Sequence, residues 1–265
     1  MGAGVPQFFA IPLLLLERLD VAWTFFLLLT RYAVFMMLAP GLGGGMMGFV
    51  IRYPAAVMLA LVSLHPSQAV PLPGDMAIMG GQLASEALLG SIVALVPLTI
   101  VAGAQTAGHL ASGTMGLNGA QLIDPTTQAA LPDLARIYSD FAIVAFLLVG
   151  GHYVAIAELA GLAETIQPGS FVLTDTRLDV LISQTARIFQ IGCLLASPVI
   201  VALLLTNFVM GIISKAVPTI NIFIISFPLT IGVGLFISII AMPEVMHFLG
   251  REFARLEEVL QVALR

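Results

Sequence analysis

Long apolar runs, parted by short breaks rich in glycine, proline or charge, set the pattern of this chain. From residue 188 to 214, and again from 216 to 243, there is no Asp, Glu, Lys or Arg. A helix crosses a bilayer with about 20 residues, so each run is long enough to span. Lys215 is the charge between them. It lies in a stretch, 206–228, where Gly211, Ser214, Pro218 and Asn221 weaken a helix. The pattern predicts a hydrophobic hairpin with arms at 178–205 and 220–242, a kink at Pro198 and a lone cation at its tip. Two readings are open for Lys215: a headgroup anchor, or a contact with partner subunits or an aqueous path.

Upstream, residues 8–39 form an apolar block interrupted by Glu17, Arg18 and Asp20. Residues 21–39 predict a helix, and Trp23 and Arg31 suit an interfacial or partner-facing one. Pro40 and the glycines up to Gly45 break the chain, and residues 46–64 predict the second arm of a hairpin. A proline-rich loop at 65–75 precedes a helix at 76–104, apolar except for Glu86. Such an acid is a hydrogen-bonded structural group or belongs to a proton relay. Residues 131–163 predict a helical region in which Asp133 and Asp140 reach Arg136 at helical spacing. Gly150, Gly151 and His152 lie inside it. Residues 164–179 read as an exposed connection. The tail, 244–265, repeats Val245, Leu249, Phe253, Leu256 and Leu260 near helical spacing among charges, which predicts an amphipathic helix on the membrane surface or on a partner.

The stretch 105–125 is the least suited to lipid. It holds Gly108, Gly113, Gly116, Gly119 and several small polar groups, with no charge before Asp124. In a membrane, irregular backbone survives where protein buries it or where it lines a cavity. A close helix crossing through small residues and a flexible loop at a pathway both fit.

Composition agrees with a membrane protein or a subunit buried in one. The chain is 59% hydrophobic and 9% charged, against about 25% charged residues in soluble domains, and its mean hydropathy is +1.06. The net charge of −5 is spread thinly, without a basic run for nucleic acid. Cys193 is the single cysteine, a small buried hydrophobe rather than a bridge. No basic segment precedes the first apolar run, so that run is expected to stay in the mature protein. There is no Ser-centred nucleophile motif and no His-Glu-x-x-His, so neither an enzyme, a metal site nor a cofactor is expected. The fold expected is all-α and membrane-associated: helical hairpins with bent helices, about six apolar segments and a C-terminal amphipathic helix. The breaks at 40–45 and 211–218 also fit the broken helices of a secondary transporter.

Gly211, Ser214, Lys215, Pro218, Asn221, Phe227 and Pro228, followed by Gly232 and Gly234, stand in a long ungapped run that resembles the signature of the FliR/SctT family, the R-type subunits of the type III export gate. Ala107-Gly108, Gly116-Leu117, Asp124-Pro125 and the Gly150-Gly151-His152 triplet are similar to further segments of that family. The resemblance implies a non-catalytic gating subunit of a flagellar or injectisome protein-export channel. It implies assembly with P-type and Q-type subunits, and with the B-type subunit, for the passage of unfolded substrates. It implies a P-like region at 1–165, a Q-like hairpin at 178–243 and the tail at 244–265. It also implies a pore plug within 105–125, carried onto Gly108, Gly113, Met115, Gly116, Leu117 and Asn118. Glu86, Asp124, Pro125, His152, Lys215, Pro218, Asn221, Phe227 and Pro228 are then structural or subunit-contact residues. The expected place is the bacterial inner membrane at the flagellar basal body, with Arg31, Arg52, Glu86 and Lys215 facing subunits or pore water rather than lipid.

Overall fold

Asp75 sets the start of a 40-residue helix. Its carboxylate accepts the Ala77 N–H at 2.9 Å, satisfying one of the donors that a helix start leaves without an intrahelical partner. The computed structural model describes residues 18–41, 45–65, 69–117, 134–160, 166–216 and 222–264. Every regular element among them is helical. In order they are α1 (Leu19–Leu38), α2 (Gly45–Ser63), α3 (Met76–Met115), α4 (Leu134–Leu148), α5 (Gly151–Leu159), α6 (Asp175–Ala216), α7 (Ile222–Ala254) and α8 (Leu256–Leu264). Among the described residues, α1, α3, α6 and the run Ile225–Leu264 are long and apolar enough to cross a membrane. The pair α4 and α5, bent by 65°, makes a fifth if it counts as one span.

Three helices overrun their expected ends. α3 passes through 105–115, where irregular backbone was one of the two readings; helix wins there. α6 runs past Gly211 and Ser214 to Ala216, and α7 contains both Pro228 and Pro243. Each interior proline removes one backbone bond and costs about 3 kcal/mol in a soluble helix. In apolar surroundings the alternative, an open stretch of backbone, strands far more polar groups, so the helix continues. The expected region 131–163 is instead split. Gly150 stands at φ +78°, a left-handed conformation that ends α4 and turns the chain into α5.

The chain divides into two compact units. The first comprises residues 1–98, 150–182 and 255–265. In it α1 and α2 pack as the expected hairpin, and Tyr32 Oη and Ser63 Oγ share a hydrogen bond at 2.6 Å. Gly90 brings α3 against α1, because any side chain there would meet the Arg31 carbonyl. The tail helix α8 packs on α5, burying Leu256, Leu260, Ala263 and Leu264. Arg177 lies over the Phe171 ring at 4.7 Å and donates to the Leu264 carbonyl at 2.7 Å, closing the end of α8. The apolar face expected on a membrane or a partner is therefore spent inside the chain.

The second unit comprises residues 99–149 and 183–254. Here α4 packs on α7, with the Phe146 and Phe253 rings 5.3 Å apart. α6 and α7 occupy the two arms expected of the hairpin and approach each other at the following points. Arg187 donates to Glu252 at 2.6 Å near one end, while Asn207 and Ser226 line one cavity farther toward the Lys215 end. The last turns of α3 lie against this hairpin: Gly103 meets Ile191, and Gly192 meets Thr106. Two thirds of the apolar window of α3 is buried, against 33% for α6 and 17% for the run Ile225–Leu264. Phe189, Leu194, Val201, Leu204 and Phe208 on α6, and Phe236 and Ile239 on α7, are exposed. An apolar surface of that extent needs lipid or other polypeptide to cover it. Cys193 is exposed on the same helix rather than buried as expected.

Candidate functional site

The site is the C-terminal end of α3. The final turn closes in a paired-bond motif: the Leu117 N–H donates to the Ser112 carbonyl at 3.1 Å, and the Gly116 N–H donates to the Gly113 carbonyl at 3.1 Å. Gly116 has φ +82°, which a side chain with a Cβ adopts only under strain. The helix thus stops where glycine first permits the left-handed step. Of the glycines expected to loosen this stretch, only Gly116 does so among the described residues. Gly108 lies against the backbone of Ala135 on α4, closer than any side chain would allow. Gly113 is exposed on the helix.

Around that end, α7 supplies three contacts. Met115 is 1% exposed, and its side chain fills the space left by Gly234, where an added methyl would sit 2.5 Å from Met115 Cγ. The Thr230 hydroxyl donates to the Met115 carbonyl at 3.2 Å, taking one of the acceptors that a helix end leaves open. The Phe227 ring lies 3.2 Å from where a Cβ of Gly116 would stand. A cavity of about 220 Å³ adjoins them, lined by Thr114, Met115, Gly116, Asn207, Ser226, Phe227 and Thr230. Its lining is mostly apolar, with the hydroxyls of Thr114 and Thr230 held by backbone carbonyls. Among the residues that line it, no acid or base is placed for chemistry. The arrangement holds a helix end in place.

Of the residues singled out in the sequence, Met115, Gly116, Phe227 and Gly234 converge here, while Gly108 sits earlier in α3 against Ala135. Leu117 is half-buried at the turn, and Pro228 lies in α7 beside Phe227. Lys215 is exposed in the last turn of α6, where a cation suits the negative end of the helix dipole. Asn118, Asp124, Pro125, Pro218 and Asn221 lie outside the described residues. The residues sequence reasoning did not assign to the site are Thr230, Asn207 and Ser226. Their one signal was position: Thr230 sits between Pro228 and the glycines of the quoted run.

Glu86 and His152 belong to the first unit. Glu86 is fully buried. Its carboxylate accepts Arg31 Nε at 2.5 Å and the Gly169 N–H at 2.6 Å. Arg31 also donates to the Leu159 carbonyl at 3.1 Å. This is the hydrogen-bonded structural acid that the sequence suggested. It also corrects the expectation that Arg31 and Glu86 face other subunits or pore water, since each is satisfied by this chain. Arg52, grouped with them, donates to the Met37 carbonyl at 3.1 Å. The His152 ring lies 3.9 Å from that of Tyr153. Among the described residues no cluster of three or more His, Cys, Asp or Glu is placed to hold a metal.

Residues 22–256 match the family model of bacterial export proteins, family 1. The chain is 31% identical over 175 residues to flagellar biosynthetic protein FliR of Escherichia coli (strain K12), covering 66% of this chain and 67% of that one. It is 25% identical over 248 residues to FliR of Bacillus subtilis (strain 168), covering 92% and 95%. It is 21% identical over 227 residues to Yop proteins translocation protein T of Yersinia pestis, covering 84% and 87%. With that match over most of its length, and an all-helical apolar fold to go with it, the chain belongs to bacterial export proteins, family 1, the FliR/SctT family of type III export apparatus subunits.

Proposed function

We propose that this chain is a gating subunit of the flagellar protein-export channel, and that the end of α3 belongs to the plug that closes the channel at rest. The observation that carries this reading is the seating of Met115 and Gly116 against Phe227, Thr230 and Gly234, with a cavity beside them. Two stretches that resemble the family, far apart in sequence, meet there. Met115 and Leu117 supply a water-excluding surface, and Gly116 supplies the turn. An unfolded substrate driven through the channel displaces this end, and its return limits ion leakage.

The partners in this reading are P-type and Q-type subunits, with the B-type subunit, in a hetero-oligomer in the bacterial inner membrane at the flagellar basal body. The exposed apolar hairpin of α6 and α7 supports it, since so much bare surface suits a neighbour of the same helical kind. Residues 1–165 form the P-like region and 178–243 the Q-like hairpin, and Lys215 meets a partner or pore water. A flagellar rather than injectisome setting is favoured by the identities of 31% and 25% to the flagellar relatives against 21% to the Yersinia protein.

The test is conductance. The assembled gate, purified with its partners and reconstituted in a planar bilayer without substrate, is expected to conduct more when residues 113–117 are deleted than when they are intact. An unchanged resting conductance in a gate shown to be assembled would remove the plug role.

A further inference from the structure

We infer that a polar pocket in the first unit binds an extended, uncharged segment of polypeptide through the carboxamides of Gln82 and Gln167. The pocket is a cavity of about 440 Å³ lined by residues 69–71, Gln82 and residues 167–170, all of the first unit. Pockets that hold small ligands run from about 300 to 1,000 Å³, so a few residues of extended chain fit.

Its wall is set before any ligand arrives. Trp23 Nε1 donates to Gln82 Oε1 at 2.8 Å, which fixes that carboxamide by its oxygen. Gly169, at φ +76°, brings the 167–170 turn onto the same side chain: a Cβ there would stand 3.2 Å from Gln82 Cδ. The turn is held in its own right. The Gly169 N–H donates to the buried Glu86 carboxylate at 2.6 Å, and the Ser170 hydroxyl donates to the Gln167 carbonyl at 2.7 Å. The Val70 N–H is taken by Thr24 Oγ1 at 2.8 Å, and Pro71 has none. Among the described residues, the Gln82 side-chain NH2 group and the whole Gln167 carboxamide have no hydrogen-bond partner. Gln82 is left with donors, Gln167 with donors and an acceptor, and residues 70 and 71 with carbonyl acceptors.

That lining narrows the ligand. Among the described residues that form it, none is charged and none is aromatic. Arg31 and Glu86 are buried and spent on each other. An ionised ligand would give up its hydration without a counter-charge. A nucleobase would find no ring to stack on. An acyl chain would strand the carboxamides. A peptide group carries one donor and one acceptor, and a carboxamide answers both. Pro71 and Pro168 supply apolar surface to the atoms between. A segment of a partner subunit and a chain in transit share this chemistry.

The test is a saturation-transfer NMR titration of the full chain in detergent with a blocked, uncharged tripeptide, acetyl-Ser-Gly-Asn-amide. Saturable binding is expected, with Kd in the millimolar range. Ala69→Leu fills the pocket and should abolish it. Gln167→Ala and Gln82→Met should each weaken it by about fivefold, the effect of losing one ordinary hydrogen bond. Gln167→Ala breaks no bond within the described chain, so it stands in should Gln82→Met, which also strips Trp23 of its acceptor, fail to fold. Absence of saturable binding, or equal binding by all three variants, overturns the site. Binding as tight by the tripeptide with Asp in place of Asn, or by sorbitol, overturns the ligand class. Repeating the titration on the assembled gate separates the two sources, each of which upholds the site. Binding to the full chain but not to the gate means that a partner's segment fills the pocket; binding to both means that it stands open to a chain in transit.

Discussion

Arg31 on α1 and Glu86 on α3 meet at 2.5 Å with side chains 3% and 0% exposed. The pair joins more than two helices. Arg31 reaches the Leu159 carbonyl at the end of α5, and Glu86 takes the Gly169 N–H from the turn before α6. Four segments distant in sequence are thus tied at one buried point. Burying two charges is costly, and the cost is offset when good geometry and further hydrogen bonds support the pair, as the Leu159 carbonyl and the Gly169 N–H do here.

Removing one partner should therefore hurt more than removing both. Glu86→Ala leaves an unpaired buried guanidinium and should destabilise by about 3–5 kcal/mol. The double variant Arg31→Met with Glu86→Leu should recover most of that loss. The check is a double-mutant cycle on the thermal midpoint of the purified complex. Additive losses would mean the pair does not act as a unit.

Helical glycines should divide by what they touch. Gly108→Ala pushes a methyl into the Ala135 backbone and should cost about 1–3 kcal/mol, the range for overpacking. Gly211→Ala and Gly232→Ala meet open space within their helices and should be neutral or stabilising by up to about 1 kcal/mol in the isolated chain. Detergent melting curves of the three variants give the comparison, and equal losses would refute the close packing.

Gly116 carries a backbone requirement first, with the Phe227 ring close beside it. Gly116→Ala should cost about 1–2 kcal/mol and fray the last turn of α3. Gly116→Asn should cost less, because asparagine tolerates the left-handed region. Hydrogen exchange on peptides covering 112–117 should be fastest in Gly116→Ala, slower in Gly116→Asn and slowest in wild type.

The tail offers a separate test. Arg177 donates to the carbonyls of Val172 and Leu264. Arg177→Met keeps much of the stem over Phe171 but opens the end of α8. Carboxypeptidase should then remove residues from the C-terminus faster than in wild type, with little effect on the rest of the fold. Arg177→Lys should fall between, since one ammonium cannot serve both carbonyls with the same fork of donors.

Glu86 shows how far a sequence reaches. An acid alone in an apolar helix must be paired, and that much follows from solvation. That Arg31 is the partner follows only from the approach of α1 to α3 across Gly90. The stretch 105–125 shows the other side. Its small residues fit a loop and a tight crossing equally well, and the packing of Gly108 on Ala135 chose the crossing as far as Met115. The tail resolved in a similar way: periodicity gave an amphipathic helix, but not that α5 would take its apolar face.

Taken alone, the order of residues determined the all-helical membrane character, the hairpin of α6 and α7, the family, and Gly116 as a residue of interest. These depend on hydrophobic periodicity and local backbone preference, which neighbours along the chain decide. The length of α3, the break at Gly150, the Arg31–Glu86 tie and the meeting of Met115 with Thr230 came only from tertiary structure. Each is settled by which distant surface arrives within a few ångströms, and that distance is written nowhere in the local pattern.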